Sequence, residues 1–116
     1  MIEKGAVVLY TGENRLFSFD LYEPDGSIFD STGYACAFSV RQLDAKIRHV
    51  DQKPMTALDE ALGKWEVRLG DQAGEATLPA GTEELKGFCM VVATDGTNVR
   101  KFGPAPFYLT RDKTEV

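Results

Sequence analysis

Short apolar segments recur along the whole chain, and glycine, proline or an Asp-Gly pair stands between them. Recurrence at such short spacing is typical of β-sandwiches and barrels rather than of βαβ units. The sequence therefore predicts an all-β fold, an antiparallel immunoglobulin-like β-sandwich with at most one short helix. The predicted strands are Ala6–Tyr10, Leu16–Tyr22, Tyr34–Gln42, Lys46–Val50, Lys64–Leu69, Ala76–Leu78, Leu85–Thr94, Val99–Phe102 and Phe107–Thr110.

The segments "RLFSFDLY" and "KWEVRL" show the clearest strand pattern, because apolar and polar residues alternate in both. Period-two alternation places the apolar side chains on one face of a strand. Trp65 is therefore predicted to belong to the core rather than to a ligand platform. The side chains predicted to point inward in these two segments are Phe17, Phe19, Leu21, Trp65, Val67 and Leu69.

The strongest hairpin signal is "VVATDGTNV". Asp95-Gly96 suits the positive φ angles of a two-residue type I′ turn, so Leu85–Thr94 should pair with Val99–Phe102. Val91 and Val92 point to opposite faces of this strand, so both of its faces are apolar, which predicts a central strand. Pro104 and Pro106 cannot donate ladder hydrogen bonds and should lie before a final strand or on a sheet edge.

The segment "TALDEALG" is ambiguous. Thr56 could cap a short helix that covers residues 56–62 and stops at Gly63. The alternative is a short strand Met55–Leu58 followed by a turn through Gly63, and the sequence does not separate the two.

The stretch "YEPDGSIFDSTGY" gathers carboxylates around Gly26 and could be a calcium loop or a turn. An EF-hand register with Gly26 sixth places Leu21 first and Thr32 twelfth, where an oxygen ligand and a bidentate Glu are required. The register therefore fails. Pro24, Asp25 and Gly26 instead fit successive positions of a β-turn.

With 116 residues, the chain has the size of a single domain, 1–116, with a possible N-terminal arm at 1–14 and a C-terminal tail at 111–116. No apolar run approaches the roughly 20 residues that span a membrane. The apolar run near the N-terminus is too short for a signal peptide, so export is not indicated.

The net charge of −5 is concentrated in residues 59–84, where seven acidic residues face two basic ones. That window alone carries −5, and the rest of the chain is balanced. No basic face is therefore predicted, which disfavours nucleic-acid binding. The acidic window is expected to be solvated, with steering of a basic partner as the alternative.

No catalytic, cofactor or metal site is predicted. Cys36 and Cys89 lie in apolar strand-like runs and are expected to be buried free thiols, with a disulfide between sheets as the alternative. His49 is the single histidine, and the chain has neither CxxC nor HExxH spacing nor a phosphate-binding glycine motif.

The aromatic residues divide into two predicted groups. Phe17, Phe19, Phe38, Trp65 and Phe88 fit the inward phase of their strands. The group left for a partner surface consists of Tyr10, Tyr22, Tyr34, Phe102 and Tyr108.

Two long stretches carry a resemblance: "FSFDLYEPDGSIFDSTGYACAFSVRQ" and "LGKWEVRLGDQAGEATLPAGTEELKGFCMVVATDGTNVRKFGPAPFYL". Their order resembles the N-terminal immunoglobulin-like domain of phage baseplate upper proteins and related tail and virion modules, over roughly Leu16–Leu109. Domains of that family usually begin a longer chain with fibre or receptor-binding parts, and a stand-alone virion protein stays open as an alternative.

The resemblance implies a non-enzymatic phage or prophage virion structural protein, of the tail, baseplate or capsid, that works through protein–protein contacts. Such a protein would be made in the host cytoplasm and assemble as a homo-oligomer with other virion proteins, without nucleic acid or membrane. The alternatives are a carbohydrate-binding or adhesion module and a small acidic inhibitor of a host nucleic-acid enzyme. The predicted partner contacts are Val7, Val8, Leu9, Tyr10, Tyr22 and Tyr108.

Overall fold

The computed structural model describes residues 6–42, 48–70 and 77–112. Within these ranges the chain forms β-strands and no helix. The strands are β1 (Val7–Tyr10), β2 (Arg15–Asp20), β3 (Ala35–Gln42), β4 (Arg48–Pro54), β5 (Thr56–Asp59), β6 (Lys64–Leu69), β7 (Glu84–Thr94) and β8 (Val99–Thr110).

The strands form two sheets that pack on each other. The order is β1-β8-β7-β3-β4 in the five-stranded sheet and β2-β6-β5 in the three-stranded sheet. Phe19 of β2 stacks on Phe38 of β3 across the interior, with ring centroids 5.2 Å apart. The predicted all-β sandwich is therefore confirmed.

The pairing is antiparallel except at one edge, where β1 runs parallel to the end of β8. Val7 lies opposite Phe107, and Tyr10 lies opposite Thr110. The purely antiparallel prediction is therefore wrong for this pair. Sequence periodicity gives the faces of a strand but does not give the direction of its neighbour.

The two alternating segments behave as predicted. All six side chains predicted to point inward are buried, and Trp65 is 4% exposed. Strand β7 is central, because it pairs with β3 on one side and with β8 on the other.

Of the two alternatives for residues 56–62, the structure has the strand and turn. Strand β5 ends at Asp59, and the N–H groups of Leu62 and Gly63 donate to the carbonyls of Asp59 and Glu60. Gly63 has a φ of 65°, and a Cβ there would lie 2.6 Å from the Phe29 carbonyl oxygen. Glycine at this position therefore lets the turn pack against the loop that contains Phe29.

The predicted β7–β8 hairpin forms, with Thr94 opposite Val99, but the predicted type I′ turn is wrong. The loop has four residues, Asp95 to Asn98, and Gln52 is the only described non-glycine residue with a positive φ. Asp95 Oδ1 accepts hydrogen bonds from the N–H groups of Thr97 and Asn98, at 2.9 and 2.6 Å. This side-chain acceptor stabilises the longer loop.

Several predicted strands differ in extent. Strand β8 is continuous where two strands were predicted, β2 ends at Asp20 rather than at Tyr22, and β4 continues past Val50 to Pro54. The predicted start of β4 at Lys46 lies outside the described residues. The predicted strand at 76–78 is absent at Thr77 and Leu78, and Ala76 is not described. Pro104 and Pro106 lie where β8 has β7 as its neighbour and β1 does not reach, which fits the predicted edge position.

Candidate functional site

The structure places the predicted contact residues of the N-terminal segment on two faces. Val7 and Leu9 are 2% and 0% exposed in the domain's own core, so neither can reach a partner while β1 is docked. Val8 and Tyr10 point to the other face, and Tyr10 is 43% exposed. The segment is therefore the first strand of its own sandwich, which was the alternative to a free arm.

The remaining candidates do not lie together. Tyr108 lies opposite Val8, next to β1 on the outer face of the five-stranded sheet. Tyr22 follows β2 just before the Pro24–Gly26 turn, where it bridges to Ile28. Of these two tyrosines, Tyr108 therefore lies on the outer face and Tyr22 lies beside a turn.

The open edge of β1 is partly covered by side chains of the following residues. The N–H of Tyr10 donates to Glu13 Oε1 at 2.7 Å, and Arg15 Nη1 approaches the carbonyl oxygen of Val8 at 3.5 Å. Both contacts occupy backbone groups that an added strand would need. Strand addition at this edge is therefore disfavoured.

The outer face of β7 is apolar and includes Phe88, which was predicted to point inward. Cys89 and Val91 are buried, so the alternation turns Phe88, Met90 and Val92 outward, where they are half-buried. Phe88 was predicted to point inward and does not. Phe102 was predicted to reach a partner surface and is 2% exposed in the core.

The neighbouring part of β8 extends this apolar surface. Pro104 and Pro106 are exposed and Tyr108 is half-buried, and Pro106 lies directly opposite Phe88. We call the surface the outer apolar face. It consists of Phe88, Met90, Val92, Pro104, Pro106 and Tyr108.

Two shallow depressions lie on this face, on either side of Phe88. One, of about 350 Å³, is lined by Lys86, Gly87, Phe88, Pro104, Ala105, Pro106 and Tyr108. The other, of about 260 Å³, is lined by Ser39, Arg41, Gln52, Phe88, Met90, Val92 and Lys101. Among the described residues, Phe88 alone is common to both linings.

The cysteines are free and buried, as predicted. They lie on neighbouring strands of one sheet, with Cys36 opposite Ala93 and thus four residues away from Cys89 along β7. Four residues of strand span about 13 Å, which is too far for a disulfide. The alternative of a disulfide between sheets is therefore wrong.

Both thiols are held in their neutral form. Burial, together with the negative charge of Glu60, raises the pKa of Cys36 to about 12. Burial raises the pKa of Cys89 to about 11, and the thiol donates a hydrogen bond to the Ala105 carbonyl oxygen at 3.5 Å. Thiols with such pKa values are poor nucleophiles near neutral pH.

The stretch "YEPDGSIFDSTGY" forms a turn at Pro24–Gly26, as predicted. The N–H of Gly26 donates to the carbonyl of Glu23 at 2.9 Å, which closes the turn over Pro24 and Asp25. Asp25 Oδ1 accepts hydrogen bonds from the N–H and hydroxyl of Ser27, and these bonds lower the pKa of Asp25. Asp30 accepts the same two bonds from Thr32, with the same effect on its pKa.

Arg100 of β8 connects this turn to the five-stranded sheet. Arg100 pairs with Glu23, and its guanidinium lies over the rings of Phe29 and Phe102, at 4.9 and 5.8 Å from their centroids. The turn is therefore tied to β8 by charge and by cation–π contact.

The described acidic residues of the window at 59–84 do not form one patch. Asp59 and Glu60 lie at the β5–β6 turn, whereas Glu84 lies opposite Thr110, next to the end of β1. Strand β6 separates these two ends of the sandwich, and Asp71 and Glu75 lie outside the described residues.

Among residues 6–42, 48–70 and 77–112, no cluster of three or more His, Cys, Asp or Glu side chains could hold a metal ion. His49 lies in β4. The same part of the chain contains no helix of the length and apolarity needed to cross a membrane.

Comparison with known proteins gives a match in structure and none in sequence. No protein family and no curated protein sequence matches the chain. Among solved structures, the chain is similar to the N-terminal domain of ORF48 of phage TP901-1, with a TM-score of 0.56 and 14% identity. The match covers 94% of this chain and 86% of that chain. At this level of identity the similarity establishes the fold.

Proposed function

We propose that this protein is a non-enzymatic structural module of a phage or prophage virion, in the tail, the baseplate or associated with the capsid, that works through protein–protein contacts. Its partners would be other virion proteins, including copies of itself. It would be made in the host cytoplasm and act in the virion, without contacts to nucleic acid or membrane.

The observation that carries this proposal is the fold match over 94% of the chain to the N-terminal domain of a phage protein. Sequence features support it independently, since the stretches from Leu16 to Leu109 resemble the N-terminal domain of phage baseplate upper proteins. Fold alone does not imply function, so the proposal depends on both observations together.

The immunoglobulin-like character of the domain is part of the proposal, and the strand order supports it. In immunoglobulin domains the second, fifth and fourth strands form one sheet, and the seventh, sixth and third form the other. With β4 counted as the extra strand of variable-type domains, β2-β6-β5 and β8-β7-β3-β4 follow that order. Strand β1 then takes the place of a first strand that joins the larger sheet.

The state of the reactive groups also favours a non-enzymatic role. The Cys36 and Cys89 thiols have raised pKa values, and the Asp25 and Asp30 carboxylates are used within turns. A nucleophile or general base needs a pKa near the working pH and access to a substrate.

The experiment is purification of the particles produced by the phage or induced prophage that encodes this chain. We expect the protein to co-sediment with intact particles in a density gradient, at a fixed ratio to the major structural proteins. Its absence from washed particles, together with normal particle assembly when the gene is deleted, would contradict the proposal.

A further inference from the structure

The outer apolar face is unusual for a sheet surface. Outward residues of a half-buried antiparallel sheet are normally polar, whereas β7 and β8 present Phe88, Met90, Val92, Pro106 and Tyr108 side by side. Contiguous apolar surface of this kind, surrounded by polar residues, marks interaction sites. The two depressions beside Phe88 provide places for side chains of a partner.

The charged residues that line the two depressions have one sign. Lys86 lines the first depression, and Arg41 and Lys101 line the second, whereas neither lining contains Asp or Glu among the described residues. None of the three cations forms an ion pair within the part of the chain that the structure describes. Glu84 is the first residue of β7, two positions before Lys86, and its carboxylate accepts a hydrogen bond from the Thr110 hydroxyl.

The cations around the two depressions contrast with the acidic composition of the whole chain. The chain has 18 acidic and 13 basic residues, so two depressions whose described linings contain three cations and no acid depart from the average. Such a surface attracts carboxylates and speeds association with an acidic partner.

The geometry points to the outer apolar face as a docking site for an acidic segment of another virion protein, whose apolar side chains fill the depressions beside Phe88. Its carboxylates would lie against Lys86, Arg41 and Lys101. This inference rests on the proposed function and adds to it the surface and the chemistry of the partner.

Two other occupants fit the face less well. A symmetric dimer through this face would oppose the same cations from two copies, which costs free energy. Sugar hydroxyls need donors and acceptors together, and among the described residues the first depression offers only Lys86 and the Tyr108 hydroxyl as polar side-chain groups. Ser39 and Gln52 supply both kinds of group in the second depression, but its two cations, Arg41 and Lys101, gain no charge pairing from a neutral sugar.

The partner docks on the face rather than along the open edge of β8. Strand β1 covers only Phe107 to Thr110, so the earlier part of β8 has one neighbour, β7. Pro104 and Pro106 in this part have no N–H to give to an added strand. Side-chain contacts, not backbone pairing, must therefore supply the binding.

The first test uses an array of random peptides as the probe. We expect the wild-type protein to retain peptides in which Asp or Glu flanks aromatic or branched aliphatic residues, and binding should weaken as salt is raised. Lys101→Glu and Phe88→Ser should each weaken this binding at least about tenfold, the effect of losing one well-placed contact.

The matched control is Arg68→Glu, which makes the same charge change on an exposed position of β6 in the other sheet. It should bind the peptides as the wild type does. Circular dichroism and the melting temperature of each variant check that the fold is kept. Lys101 is exposed, so Lys101→Glu keeps the test valid even where Phe88→Ser does not fold.

The second test measures incorporation of the same variants into particles when the wild-type gene is absent. Loss with Lys101→Glu and normal incorporation of Arg68→Glu would support the inference. Normal incorporation of both would overturn it and leave the proposed function standing. Absence of the wild type from particles would contradict the proposed function, and the peptide array then decides the docking surface alone.

Several peptide-array outcomes would overturn the inference. These are no retained peptide, retained peptides without acidic residues, and equal binding to Lys101→Glu. Binding to a glycan array that Tyr108→Ser abolishes would assign the face to carbohydrate instead. Salt-sensitive dimerisation that Lys101→Glu abolishes would assign it to a second copy.

Discussion

Trp65 Nε1 donates a hydrogen bond to Ser31 Oγ over 2.8 Å, deep between the sheets. Ser31 is 0% exposed, and its hydroxyl and N–H both donate to the Glu60 carbonyl, at 2.7 and 2.8 Å. This one serine therefore connects the loop before β3, the core of β6 and the β5–β6 turn. Every polar atom in this small network has a partner, which is what burial requires.

Removing the serine hydroxyl should be costly for its size. We expect Ser31→Ala to lower the free energy of unfolding by about 1–3 kcal/mol, because the Trp65 N–H is left buried without an acceptor. Ser18→Ala is the matched control, since Ser18 is exposed on β2. Urea denaturation of both variants measures the difference, and equal effects would contradict the role of the network.

Truncating the tryptophan itself should cost more. Trp65→Ala removes a large aromatic that is 4% exposed, so we expect a loss of about 3–5 kcal/mol in the free energy of unfolding. Unchanged stability together with lost sugar binding would instead support a carbohydrate-binding module.

Because β1 is docked on β8, alanine substitutions of two leucines should differ in how much they lower the free energy of unfolding. Leu9→Ala should destabilise the domain by about 2–5 kcal/mol, because Leu9 is 0% exposed. Leu16→Ala makes the same change at a position on β2 that is 46% exposed, and should cost far less. Deletion of residues 1–11 should lower the melting temperature of the monomer strongly.

Two other outcomes of deleting residues 1–11 would contradict a purely structural role of β1. A deletion variant that keeps its melting temperature but fails to enter particles would show that the segment is an arm for a neighbouring subunit. A variant that is both stable and competent for assembly would remove the segment from both roles.

The thiols predict a loss of stability in alkali. The pKa values of Cys36 and Cys89 lie above the value of 9.0 for an unperturbed thiol, at about 12 and about 11. The unfolded chain therefore loses these protons first, so stability is kept below pH 9 and falls as the pH rises towards 11. A Cys36→Ala/Cys89→Ala variant should show a shallower decline in denaturant titrations, and an unchanged slope would contradict the prediction.

Calcium should have no effect on stability. The Asp25 and Asp30 oxygens already accept hydrogen bonds from Ser27 and Thr32, and the loop lacks the first and twelfth ligands of an EF-hand. The melting temperature should be the same with calcium and with a chelator. A rise of several degrees with calcium would show that the turn is a binding loop.

The sequence predicted best those elements in which one face is apolar and the other polar. Strands β2 and β6 follow a strict alternation, so the inward phase of Phe19 and Trp65 could be read directly. The hairpin between β7 and β8 was likewise visible from Asp95-Gly96, although the side chain of Asp95 favoured a longer loop.

The candidate surface was predicted poorly for a physical reason. In "GFCMVVA" both faces of β7 are apolar, so periodicity does not show whether Phe88 or Cys89 points inward. Only the pairing with β3 and β8 fixes the phase, and it exchanges the roles expected for Phe88 and Phe102. The direction of β1 depended in the same way on a contact with residues 100 positions later.

The parallel pair of β1 and β8 also determines when the domain can be completed during synthesis. Val7 emerges from the ribosome 100 residues before its partner Phe107, an interval of about 5–20 s at ordinary rates of translation. Throughout that time Val7 and Leu9 have no strand to cover them, and closing so long a loop carries a large entropic cost. The nascent chain therefore exposes the apolar side chains of β1 to chaperones, or to other nascent chains, until β8 has been synthesised.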